Sequence, residues 1–197
     1  ELADMLDTVR RGGGDELGNL TIKHADAAKQ LESQGIVLSE GRAAIEWDDA
    51  TILFIALRET TDEGGPAEPL DRGISMERLG RFPTEDGDAI AYLREYLIPE
   101  NNNDRGGQLL TQLDAGFRSE IRGHDHLSNG FGGMVLHGWL TAPEVTELRT
   151  YLQKSTWKVA QNEPFDGGVL DVARHLLIIL KTAEKRSIGI LMRAHGD

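Results

Sequence analysis

Two histidines one residue apart, His124 and His126, flank Asp125 in the segment RGHDHLSNGFGG, and His137 follows further along. Imidazoles and carboxylates are the side chains that hold zinc and similar divalent ions. Residues i and i+2 of an extended segment point to the same side, so both rings can serve one ion. With His137 folded back, His124, Asp125, His126 and His137 form the expected metal set. An ion held this way keeps one position for water and makes that water a nucleophile near neutral pH. No HExxH or zinc-ribbon spacing accompanies the pattern.

A second candidate is Asp171 with His175, spaced i, i+4 on a helical stretch. There a carboxylate can orient and charge an imidazole, half of an acid–base device. Other motifs fail on inspection. His126-Leu127-Ser128-Asn129-Gly130 puts His126 where a nucleophile elbow needs glycine. Neither Gly12-Gly13-Gly14 nor the glycines after Asn129 have the flanking residues of a phosphate loop. Residues 101–112 put Arg105 and Gln112 where a calcium loop needs carboxylates.

The elements that must position these residues read mostly as helices. Apolar spacing predicts helices over 2–11, 24–34, 86–97, 109–121 and 168–185, and Thr141-Ala142-Pro143-Glu144 is a helix start of capping-box type. Short strands are expected at Ile36–Leu38, at Thr51–Ile55 and from Ile188 to Met192, with a helix capped by Asp48 or Asp49 as the alternative at Thr51–Ile55. Helices and strands do not alternate regularly, so the expected fold class is α+β: a mostly helical single domain with a small sheet. Residues 1–22 are expected to form a mobile or separately docked arm, within which Gly12-Gly13-Gly14 makes a flexible joint.

Composition bounds the function. The chain has 197 residues and no cysteine, which excludes disulfides, thiolate metal sites and cysteine nucleophiles and fits a cytoplasmic location. No apolar run approaches the roughly 18 residues of a membrane span. With 21 Lys and Arg against 33 Asp and Glu, the net charge of −12 opposes nucleic-acid binding. The acidic residues Asp48, Asp49, Asp62, Glu63, Glu85 and Asp86 are the expected face for a basic protein partner. The leading expectation is therefore a soluble binding or regulatory domain of bacterial type, in its specific form an immunity-like inhibitor of a basic partner, with no cofactor. The alternative is a metal-dependent hydrolase built on the His/Asp loop, with zinc or a similar divalent ion. Self-association through Trp- and Leu-rich faces is a third reading.

Overall fold

Leu2, Met5, Leu6 and Val9 recur at helical spacing. Helix α1 (Leu2–Arg10) forms there and buries Leu2, Ala3, Met5 and Leu6. The computed structural model describes residues 1–14, 16–70, 88–100, 104–154 and 156–195. Its fold is α+β and mostly helical. The chain divides into two compact units. The first comprises Glu1–Ala67, Arg122–Leu136 and Arg193–Asp197; the second comprises Glu68–Ile121 and His137–Met192.

The first unit continues through a 3-10 turn (Glu16–Asn19), α2 (Leu20–Lys23), α3 (Ala25–Ser33) and α4 (Asp49–Leu57). Leu17 and Leu20 are fully buried, so the leading segment packs its apolar residues into this unit's core together with Leu31, Ile52, Leu53 and Leu127.

Two strand expectations are corrected here. Thr51–Ile55 is helical, inside α4. Asp48 caps that helix by accepting from the Thr51 amide at 2.7 Å and its hydroxyl at 2.9 Å. Burial of Ala50, Ile52, Leu53 and Ala56 outweighs the weak β-preference of Ile and Thr. Ile36–Leu38 is not a strand either, and its backbone leads into a 3-10 turn (Leu38–Glu40). Gly35 and Gly41, with φ of +85° and +81°, bend the chain at both ends and leave no length for strand pairing. Ile36 and Leu38 are nonetheless buried.

In the second unit, α5 (Ala89–Tyr96) leads into β1 (Leu97–Pro99). Then come α6 (Arg105–Ala115) and the short α7 (Ser119–Arg122), where one longer helix was expected. Gly116, after the last residue of α6, leaves no room for a side chain: a Cβ there would lie 2.4 Å from the Gln112 carbonyl. β2 (Met134–Leu140) begins in the first unit and ends in the second, where α8 (Ala142–Lys154), β3 (Trp157–Val159) and α9 (Gly168–Arg186) follow, and β4 (Ile190–His195) leads back into the first. β1 pairs antiparallel with β3, and β2 pairs with β4, so the expected small sheet is two separate two-stranded sheets. Val145, Leu148 and Leu152 of α8 and Val169, Val172, Leu176 and Leu180 of α9 fill this unit's core with Leu93, Leu109 and Leu110. The capping box at Thr141 is present: Glu144 accepts from the Thr141 amide at 2.9 Å and its hydroxyl at 2.8 Å. Among the described residues, no helix is long and apolar enough to cross a membrane.

Candidate metal centre

The loop that carries the two histidines belongs to the first unit. Gly123 turns the chain out of α7 with a φ of +78°. Behind the histidines, Leu127 is fully buried and anchors the loop. The Ser128 amide and hydroxyl both donate to the Asp125 carbonyl, at 2.9 and 2.8 Å, and close a turn. Ser128 and Gly130 then pair with Leu136 and Met134, and the Phe131 amide donates to the Thr51 hydroxyl at 3.0 Å. The loop is thereby fixed to the N-terminal turn of α4.

This turn sets the two imidazoles face to face, with centroids 3.6 Å apart and planes 26° apart. Their third neighbour comes from α1. Asp7 places Oδ1 3.0 Å from Nε2 of His124 and 3.6 Å from Nε2 of His126. One ligand atom from each of Asp7, His124 and His126 lies within 4.8 Å of the others. Neither nitrogen of His124, nor Nε2 of His126, makes an aligned hydrogen bond among the described residues, although all three are buried atoms. Buried polar atoms are seldom left unpaired. The three side chains carry the donor types that hold a divalent cation.

Asp49 flanks the cluster. It is almost wholly buried in the first turn of α4, and its Oδ2 lies 3.8 Å from Nε2 of His126. Arg42 donates to Oδ1 at 2.6 Å, and Arg10 donates to Oδ2 at 2.9 Å. Arg11 pairs with the far oxygen of Asp7. Burial, the adjacent His124 and Arg10 push the His126 ring's pKa down, against the pull of Asp49 and Asp7. The neutral ring, which is the ligating form, is therefore favoured.

Of the expected set, the structure brings His124 and His126 together. The Asp125 side chain is exposed and serves the loop through its backbone carbonyl. His137 lies in the second unit, grouped with Asp88 and Asp114. The carboxylates of that second group are already engaged. Asp88 caps α5 by accepting from the amides of Ile90 and Ala91, and the wholly buried Asp114 meets Arg94 and Arg118. Burial, a hydrogen bond with Asp88 and that residue's like charge push the Asp114 carboxyl up, with Arg118 and Arg94 opposing. With both carboxylates already held by these donors, the group is a poorer cation site than the first cluster.

No family model matches the chain, no curated protein matches it, and no solved structure matches it. The functional reading therefore rests on the geometry of its own residues.

The remaining candidates are placed as follows. Nδ1 of His175 lies 2.8 Å from the Asp171 carbonyl and 3.9 Å from its carboxylate, so the pair meets mainly through the backbone. Asp48 and Asp49 are used internally, as a helix cap and as a buried ion-pair centre. Asp62 and Glu63 are exposed near a turn, and Glu85 and Asp86 lie outside the described residues. Sequence reasoning missed Asp7, Arg10 and Arg42. The one local signal was the Asp7, Arg10, Arg11 spacing on a single helix, which puts an acid and two bases on neighbouring positions.

Proposed function

We propose that the first unit binds a divalent transition metal through Asp7, His124 and His126 and uses it for hydrolysis. The observation that carries this reading is that Asp7 Oδ1 lies 3.0 and 3.6 Å from Nε2 of His124 and His126, side chains from two distant segments, with neither nitrogen in an aligned hydrogen bond among the described residues. Two imidazoles and one carboxylate are a donor set that zinc accepts, and three protein ligands leave a position for water.

The chemistry would be addition of metal-bound hydroxide to an electrophilic carbonyl or phosphoryl centre. The bond to the leaving group breaks, the leaving group takes up the proton, and one water is consumed. Asp7 would hold the metal and fix its charge. Arg11 on the far oxygen of Asp7 would orient that carboxylate, as outer partners of metal ligands do.

The test uses tag-free protein stripped by chelator. Calorimetry is expected to show one zinc bound per chain and none in His124→Ala/His126→Ala, while Asp125→Ala still binds. Hydrolysis of a p-nitrophenyl ester should return when zinc is restored to the stripped chain. Absence of zinc binding in the wild-type chain would end this reading. Zinc binding without any zinc-dependent hydrolysis would leave a metal site and remove the hydrolase.

A further inference from the structure

Three guanidinium groups stand around the cluster, Arg10 and Arg42 on Asp49 and Arg11 on Asp7. They are paired with the carboxylates of Asp49 and Asp7, and Asp48 stands beside the same loop. Two of the guanidinium groups, Arg10 and Arg42, share the single carboxylate of Asp49.

The three arginines are not equivalent. Arg42 is fully engaged: Nε meets Asp49, and the terminal nitrogens donate to the carbonyls of Ile45 and Trp47 at 2.7 and 2.6 Å. Arg11 is mostly exposed, on the far side of Asp7. Arg10 uses Nε alone, and its side chain is 51% exposed. Its two terminal nitrogens have no hydrogen-bond partner among the described residues. The oxygen it grips, Oδ2 of Asp49, is the same atom that lies 3.8 Å from Nε2 of His126. The Arg10 guanidinium is thus linked to the imidazole pair through one carboxylate oxygen.

A guanidinium edge matches two oxygens of a phosphate or carboxylate. A phosphate-class oxyanion has oxygens enough to meet a metal and both terminal N–H groups at once, whereas a carboxylate has only two. We infer that the ligand of this site is a phosphate-class oxyanion, with one oxygen at the metal and others on the terminal N–H groups of Arg10. This rests on the metal reading above and adds the substrate class to it.

The experiment titrates phenylphosphonate into the full chain loaded with zinc, with acetate as the comparison anion. Phenylphosphonate is expected to bind, and acetate to bind far more weakly. Arg10→Gln, whose amide can still reach Asp49, should bind phenylphosphonate at least about tenfold more weakly, as loss of a charged hydrogen-bond donor implies. Zinc should still bind that variant. Arg10→Lys keeps the charge without the fork, so it should recover part of the loss; it also stands in if the Gln variant does not fold. Zinc binding with no phenylphosphonate binding, equal binding by wild type and Arg10→Gln, or acetate binding as tight as phenylphosphonate would overturn the inference and leave the metal reading intact. No zinc binding to the wild-type chain would overturn both.

Discussion

Arg42 donates from Nε to Oδ1 of Asp49 across 2.6 Å, and Asp49 is 1% exposed. The carboxylate is thus a buried charge whose solvation comes from two arginines. Asp49→Asn keeps the shape and removes the charge, leaving Arg10 and Arg42 without their counterion. Removing one partner of a buried pair typically costs about 3–5 kcal/mol. Chemical denaturation should show a loss of at least about 2 kcal/mol, the lower figure allowing for the half-exposed Arg10. A variant as stable as wild type would mean that Asp49 is not what holds Arg42 in place.

The second unit has its own steric weak point at Gly138 in β2. A Cβ there would lie 1.9 Å from the Gln112 carbonyl oxygen and 2.5 Å from that of Leu113. Both are backbone atoms, so the strand or α6 would have to shift. Gly138→Ala should therefore cost about 2–3 kcal/mol or more. Gly132→Ala makes a useful contrast, because no atom stands within 4 Å of its added Cβ and its strain is only that of a positive φ of +69°. That change should cost about 1 kcal/mol. Equal melting temperatures for the two variants would contradict the packing described.

Much of the fold was legible along the chain. The apolar spacing in 2–11, 24–34 and 168–185 marked α1, α3 and α9, because each helix buries one stripe and the period survives in the sequence. The error at Thr51–Ile55 has a physical source. A short run of β-branched and aromatic residues fits a strand or a fully packed helix equally well, and the Asp48 cap decided it. Asp48 and Asp49 look alike in the sequence, yet one caps a helix at its surface and the other lies buried beside His126. The proposed metal cluster was half legible. The His-x-His pair is local, but Asp7 joins it only through tertiary packing of α1 against the loop, which no local pattern records.

Glu144 gives a pH dependence with a definite sign. Burial raises its carboxyl, but hydrogen bonds from Thr141 and Gln112 and the charge of Arg105 outweigh that and hold it below the ordinary glutamate value. A depressed carboxyl contributes stability above its unfolded pKa of about 4.3 and loses it as pH falls through the folded value. Glu144→Gln should melt lower than wild type at pH 7, by a difference worth about 1 kcal/mol. The gap should close as pH falls below about 4, where wild type loses the same contribution. A gap that stays constant down to pH 3 would assign the effect to shape rather than charge.

The most direct measurement is anomalous diffraction at the zinc edge from a crystal of the full chain soaked in zinc. The account expects one strong peak in the first unit, about 2.0–2.2 Å from an imidazole nitrogen of His124, from Nε2 of His126 and from a carboxylate oxygen of Asp7. No peak at these three side chains, or a sole peak at Asp88, Asp114 and His137, would contradict it.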